Sequence, residues 1–433
     1  MKHILTTLVA VATLSTSQVQ AESLLQVYKL AKAHDPSLRS AAATYNAEKE
    51  SVTITKGNLF PQVTFNSNLG YSKTDANNTT TDTTPGSVAL NMNYPIYSPA
   101  LGYAVDAVTL NFQSAEVALE NAEEDLALTS LTEYFNLLIA QATFKTTQSQ
   151  VISTASQLDR VKKQFDVGLV SVTDLQDAQA AYDAVKVSEL TAQSKVINAQ
   201  QALFQRTGQK IVNIPELSKD YQITLDDQTS VEQLIKLAYQ HNTDIRKLDL
   251  AVLSAETNIQ IQKSNGRSPT VTLTGALTHS DQDLSSGNNE SNVASINVGV
   301  TIPLYRGGAI DASVRQASSS SEATIEQREA ALQSLELNIR SLYLDLQTTV
   351  AQVKAQSQLI RSRTSALEAT QAGYDVGIRN VVELLNAQSN LFDAQNAYQQ
   401  LRYGFVVKRL NMLELTGQLT EDAITQLDSW LNG

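Results

Sequence analysis

The chain contains no cysteine. Disulfides, thiolate metal sites and a lipidated N-terminal cysteine are therefore excluded. After residue 21 no stretch reaches the ~18 consecutive apolar residues of a membrane-spanning helix. Aromatic residues make up only 6% of the chain, too few for one thick globular core. Lysine and arginine number 32 against 44 acidic residues, so the formal net charge of −12 offers no footprint for nucleic acid. The four histidines are His3, His34, His241 and His279, and none has metal-ligand spacing to another. No nucleophile motif or glycine-rich phosphate loop is present, so neither an enzyme nor a cofactor is expected. Proline is missing between Pro99 and Pro215 and again after Pro303. Proline breaks helix interiors, so long helices can run in those two zones.

What is present begins with an export pattern. Lys2 and His3 precede an apolar stretch, Ile4 to Leu14, that is too short to span a bilayer. Small residues follow, and cleavage is expected between Ala21 and Glu22.

The strongest feature is a duplication. Phe165-Asp166-Val167-Gly168-Leu169 recurs as Tyr374-Asp375-Val376-Gly377-Ile378, at an offset of 209 that holds to Thr207-Gly208 and Thr416-Gly417. One large unit has been copied, and the two copies are expected to lie side by side. The expected organisation is a signal segment, 1–21, then two repeats. The first, 22–214, holds a helix 22–57, a strand pair 60–98 and a helical hairpin 100–209. The second, 215–433, holds a helix 230–266, a strand pair 268–305, a hairpin 308–417 and a C-terminal helix 420–432.

The hairpins follow from periodicity. Leu332, Ile339, Leu346, Val353, Ile360 and Leu367 step by seven toward Tyr374; Leu137, Phe144, Val151, Leu158 and Phe165 are their counterparts. A seven-residue apolar repeat implies left-handed coiled-coil packing. Past each Val-Gly pair a second seam starts, at Leu175 and at Leu384. Before each hairpin the period becomes two. Val88, Leu90, Met92, Tyr94 and Ile96 alternate with Ala89, Asn91, Asn93 and Pro95; Ile296, Val298 and Val300 alternate with Asn297, Gly299 and Thr301. The polar stretches Lys73–Pro85 and Ser280–Asn289 are expected as loops between paired strands.

Apolar-out, polar-in alternation suits a transmembrane barrel. Four strands per chain cannot close one alone, because hydrocarbon does not tolerate unpaired edges. Closure therefore requires further copies: two chains would make eight strands and three would make twelve. The competing reading is a soluble periplasmic coiled-coil adaptor or scaffold protein with a half-wet antiparallel sheet.

At this point the chain resembles the TolC-like outer-membrane efflux and type I secretion channels. The resemblance covers the repeated order of helix, strand pair and hairpin, and the strand exits Pro95-Ile96-Tyr97 and Pro303-Leu304-Tyr305. It is most specific at the tips, Phe165 to Gln179 and Tyr374 to Gln388. It implies a mainly α fold with a transmembrane β part: a homotrimer in outer-membrane lipid, with a 12-stranded β-barrel continuous with a 12-helix α-barrel in the periplasm. Partners implied are a periplasmic membrane-fusion adaptor and an inner-membrane ABC or RND-type pump.

The resemblance also distributes roles. Val167, Gly168 and Leu169, with Val376, Gly377 and Ile378, match the tips that meet the adaptor. Thr173 and Asp174 on one hairpin, and Tyr374 and Arg379 on the other, match the polar links that hold the periplasmic end closed. Glu383 and Asn386 match two acidic rings at the pore constriction. One charge is kept on a longer side chain and the other is lost. Asp174 and Glu383 also have a purely local explanation, as capping-box residues of the helices that follow each turn.

Overall fold

The computed structural model describes residues 23–429 and 431, apart from 77–78, 213, 219–220, 222, 226–229 and 285–286. The expected signal segment and its cleavage site at Ala21–Glu22 lie outside the described residues.

Helices α1 (Leu24–His34) and α2 (Pro36–Gly57) open the first repeat, and α5 (Val231–His241) and α6 (Thr243–Arg267) open the second. Each pair was expected as one helix, 22–57 and 230–266. The corrections have local causes. Pro36 lacks the N–H that would continue α1, and Asp35 turns its carboxylate onto the amides of Ser37 and Leu38 to start α2 afresh. Asn242 caps α6 in the same way through Asp244 and Ile245.

The strands are β1 (Gln62–Leu69), β2 (Ser72–Ala76), β3 (Thr79–Tyr97), β4 (Thr270–Leu284) and β5 (Gly287–Thr301). They form one antiparallel sheet of order β1–β3–β4–β5, with β2 continuing β1 along the same partner. The amide of Gly70 donates to the carbonyl of Pro85 at 2.9 Å and keeps the ladder in step across the break. The polar stretches expected as loops are therefore strand wherever they are described. Ser72–Ala76 pairs with Thr79–Thr83, and β4 and β5 stay paired to Leu284 and Gly287. Threonine-rich sequence suits extended backbone, and cross-strand partners were available on both sides.

The register sorts side chains onto two faces. Val63, Phe65, Leu90, Met92, Leu273, Leu277, Ile296 and Val298 share one; Gln62, Asn91, Asn93, Thr274 and Asn297 share the other. Val63, Phe65, Ile296 and Val298 are between 60% and 73% exposed, so the apolar face is bare within the chain. The two copies of the hairpin join through β3 and β4, from Thr83–Leu284 to Tyr97–Val271, while β1 and β5 form the outer edges.

Helices α3 (Pro99–Asp166) and α4 (Val172–Thr207) make the first hairpin; α7 (Ala309–Asp375) and α8 (Val381–Leu415) make the second. At 1.5 Å per residue, the 68 residues of α3 extend about 100 Å. Of the predicted seam, Leu137, Leu158, Ile339, Leu346 and Val353 are buried, whereas Phe165 is exposed at the tip. The largest core is a belt at mid-height. There α1, α3, the end of α4, Ile211, Ile214 and Leu217, the end of α8 and α9 (Glu421–Ser429) meet around Tyr134, Phe135, Leu138, Leu203, Tyr403 and Leu410.

The two repeats close onto this belt in the same way. Gly208 ends α4 in the left-handed region and lies against the His34 ring; Gly417 follows α8 and lies against the His241 backbone. At Gly417 the φ is +65°, and a Cβ would sit 2.7 Å from the His241 carbonyl oxygen; at Gly168 the φ is +73°, but nothing lies within 4 Å. Gly168→Ala should therefore cost only the backbone strain of about 1 kcal/mol, while Gly417→Ala should cost roughly 3 kcal/mol or more. Thermal unfolding of the detergent-solubilised variants, followed by circular dichroism, should show the larger loss at Gly417.

Candidate functional site

Each hairpin turns where the apolar seam meets a Val-Gly pair. Gly168 and Gly377 take φ of +73° and +79°, which glycine reaches without strain. The amide of Leu169 donates to the Gln164 carbonyl at 2.8 Å, and that of Ile378 to the Gly373 carbonyl at 2.9 Å, closing the ends of α3 and α7. Both returning helices start with a capping box. Ser171 Oγ accepts from the Asp174 amide at 3.1 Å, and Asp174 Oδ2 accepts from the Ser171 amide at 3.0 Å. Asn380 Oδ1 accepts from the Glu383 amide at 2.8 Å, and Glu383 Oε2 accepts from the Asn380 amide at 3.3 Å. Val167, Leu169, Val376 and Ile378 are left 70% to 78% exposed at the two apices. With Gly168 and Gly377 they make two bare apolar knobs at one end of the molecule.

Between the knobs lies a cleft of about 650 Å³, lined by Gln164, Leu169 and Asp174 on one side and by Tyr374, Arg379 and Asn380 on the other. The structure thus gathers Asp174, Tyr374 and Arg379 around one space, while Thr173 is exposed on the first turn of α4. Within one chain these residues are engaged as follows. Tyr374 Oη donates to Gln164 Oε1 at 2.6 Å. Burial raises the Tyr374 phenol above its ordinary pKa; Arg160 opposes this and Asp174 adds to it. Arg379 Nη1 pairs with Glu383 Oε1 at 3.2 Å rather than with Asp174. Arg160 Nη1 pairs with Asp375 Oδ1 at 3.2 Å, and Gln371 Nε2 donates to the same oxygen at 2.8 Å. Glu383 and Asn386 lie three residues apart on α8, so they share a helix face; Glu383 is half-buried and Asn386 exposed.

Arg160, Gln164 and Asp375 were missed as site residues. Heptad reading hides them, since Arg160 and Gln164 fall between seam positions. The available signal was divergence between the repeats: Arg160 and Gln164 correspond to Ala369 and Gly373.

A second polar group sits at the upper edge of the belt, where α3 meets α6 and α8. Thr243 Oγ1 reaches Glu124 Oε2 at 3.4 Å, and Arg246 Nη1 pairs with Glu120 Oε2 at 2.7 Å. Lys247 pairs with Asp244 at 2.7 Å. Burial, together with Glu120 and Glu414, pushes Glu124 up to about 7. Burial, together with Asp125 and Asp244, pushes Glu414 up to about 7 as well.

Two repeated hairpins on a two-faced sheet, with bare apolar tips, define an outer-membrane channel protein. The chain belongs to the outer membrane efflux protein family, whose profile matches residues 27–209 and again 234–418. The double match is the duplication itself. It is 30% identical to outer membrane protein TolC of Vibrio cholerae over 98% of this chain and 96% of that one. It is also 30% identical to TolC of Escherichia coli, over 100% of this chain and 90% of the relative. The proteases secretion protein PrtF of Dickeya chrysanthemi is 24% identical over 98% and 94% of the two chains. Among solved structures, CusC superposes with a TM-score of 0.80 at 19% identity, covering 92% of each chain. The open state of the Neisseria gonorrhoeae MtrE outer membrane channel superposes with a TM-score of 0.75 at 18% identity, over 92% of this chain and 90% of that one. The family consists of channels and not enzymes, and it places this chain in the cell outer membrane with its helices in the periplasm. The soluble-adaptor reading is set aside.

The acidic junction makes stability depend on pH. A carboxyl whose folded-state pKa is raised holds a proton that the unfolded chain releases, so stability falls as pH rises from the ordinary glutamate range through about 7. The protein should therefore melt higher at about pH 5.5 than at about pH 8, and Glu414→Gln should raise the melting temperature at the higher pH and flatten the dependence.

Proposed function

We propose that three copies of this chain close into one outer-membrane duct through which an efflux or type I secretion system discharges its substrate. The observation that carries this is the sheet. Its apolar face is bare, its outer edges β1 and β5 have no partner strand among the described residues, and it continues directly into helices about 100 Å long. Lipid demands that such edges be paired, and copies of the same chain pair them without leaving a new edge. Four β-columns per chain then give a barrel of twelve, wide enough for a lumen lined by the Asn and Thr face. The helices give a periplasmic tunnel that narrows at the tips.

The apolar knobs at Val167–Leu169 and Val376–Ile378 dock a periplasmic membrane-fusion adaptor, which connects the duct to an inner-membrane ABC or RND-type pump. Thr173, Asp174, Tyr374 and Arg379 belong to the polar gate between the tips, and it opens in the manner of an iris. Glu383 supplies one ring of three carboxylates at the constriction, and Asn386 supplies none. The relatives PrtF and AprF are named for protease secretion, and BepC for efflux, so both kinds of cargo occur among them.

Purified protein should sediment as a trimer in detergent and form channels in planar bilayers. Wild-type conductance should be small and should rise severalfold in Tyr374→Phe/Arg379→Ser. Glu383→Gln should weaken the preference for cations over anions without closing the channel. Failure to insert overturns the duct; unchanged selectivity moves the constriction elsewhere.

A further inference from the structure

We propose that Glu124 and Glu414 form a proton-operated latch at the belt. With both carboxyls protonated, the end of α8 is fastened to α3; with both ionised it is released, and the duct opens more readily. The effect on conductance rests on the gated-duct reading, whereas the effect on the end of α8 does not.

The latch lies where the two repeats are joined. Asn242 donates to the Leu415 carbonyl at 3.2 Å, and Gly417 lies against the His241 backbone, so the end of α8 meets the start of α6. Helix α3 passes beside both. It contributes Glu120, Glu124 and Asp125; α6 contributes Asp244, Arg246 and Lys247; α8 contributes Glu414. On the flanking elements, Lys32 of α1 is engaged with Glu123 at 2.9 Å, and His241, the last residue of α5, is exposed.

Five carboxylates thus face two cations. Arg246 is paired with Glu120 and Lys247 with Asp244, each at 2.7 Å. Among the described residues, neither Glu124 nor Glu414 has an ion-pair partner. Both are half-buried, where a charge without a partner is costly. The Thr243 hydroxyl adds a second reason. It has one proton, and its oxygen lies 2.5 Å from Asn121 Oδ1 but 3.4 Å from Glu124 Oε2. With that proton given to Asn121, the hydroxyl can accept from a protonated Glu124 and has nothing to donate to an ionised one.

The fold does not require this acidity. At the offset of 209, Glu124, Asp125 and Glu414 correspond to Gln333, Ser334 and Gln205. Asp244 and Lys247 correspond to Ser37 and Ser40, as Asn242 does to Asp35. At the two latch positions the other repeat carries glutamine, which has nearly the same shape and no charge. The backbone plan is satisfied without titration, and glutamate adds it.

The direction follows from the surroundings. Burial and the neighbouring carboxylates hold both groups at about 7 in the fastened state. A raised carboxyl pKa stabilises that state at acidic pH, and the advantage is lost as pH rises through about 7. Once ionised, Glu414 faces Asp125 and Asp244, and Glu124 faces Glu120, so like charges push the end of α8 from α3 and α6. Helix α8 runs from the tip turn to the belt as one element, Val381–Leu415, so loosening its belt end gives its tip end freedom to move.

Glu124→Gln/Glu414→Gln copies the other repeat and should therefore fold. Hydrogen exchange of the full-length protein, corrected for the intrinsic pH dependence, reads the latch directly. In wild type, protection of α8 amides 405–415 should fall severalfold between about pH 5.5 and about pH 8; in the double variant it should keep its acidic value at both. In planar bilayers, the open fraction of wild type should rise severalfold over the same interval, and that of the variant should stay low and flat. Wild-type protection that does not change with pH would overturn the latch. So would a pH response that survives in the double variant, because the titrating groups would then lie elsewhere. Wild-type protein that does not conduct at any pH would instead overturn the duct, and the exchange data would decide the latch by themselves.

Discussion

The sheet and its junction with the helices answer to one constraint, the need to pair backbone hydrogen-bonding groups where water is absent. The sheet satisfies it internally along β3–β4, the ladder from Thr83–Leu284 to Tyr97–Val271 that splices the two repeats. It leaves β1 and β5 to be satisfied from outside. The strand pairs could not be separated by a long loop without breaking that ladder, and the helices must start where the strands stop. Ser98 and Pro99 make the change from strand to helix at the end of β3, with proline at a position where its missing N–H costs nothing.

The belt at mid-height solves a different problem. A coiled-coil hairpin about 100 Å long has little to hold it to its neighbour except narrow seams. Here α1, α9, Ile211, Ile214 and Leu217 cover the hairpins with a broad apolar cluster around Tyr134, Phe135 and Tyr403. The charged residues around it are organised by burial. Asp35 is 2% exposed; burial alone would raise its pKa, but Ser37, Arg206 and the amides of Ser37 and Leu38 outweigh this and lower it. Arg206 also pairs with Glu133 at 3.1 Å, tying the α1–α2 joint to both helices of the first hairpin. The second repeat does the same work without charge: Asn242 caps α6 and donates to the Leu415 carbonyl at 3.2 Å. The copies share a backbone plan and have diverged in how each joint is fastened. That divergence also distinguishes the two tips.

Much of the architecture was legible because it is written in periods. Ile339, Leu346 and Val353 mark a helix seam by spacing alone, and Leu90, Met92 and Tyr94 mark a strand face. Capping boxes at Ser171 and Asn380 could be recognised from residue type and spacing. The breaks at Asp35 and Asn242 were less visible, since a single residue carries each and the apolar pattern runs on through both. The polar strand ends were misread as loops because strand propensity in Thr- and Asn-rich sequence depends on the partner strand.

The sequence by itself determined the repeat, the helix and strand periods, the tip turns and the list of polar residues near them. These are local quantities, decided by side-chain type at fixed spacing along one chain. The tertiary structure alone decided which polar residues meet. Tyr374 finds Gln164 and Asp375 finds Arg160, each across more than two hundred residues of chain, because folding brings the ends of α3 and α7 together. Arg379 turns to Glu383 because Gly373 leaves room beneath it. Pairings of that kind depend on distances in space that spacing along the chain does not encode.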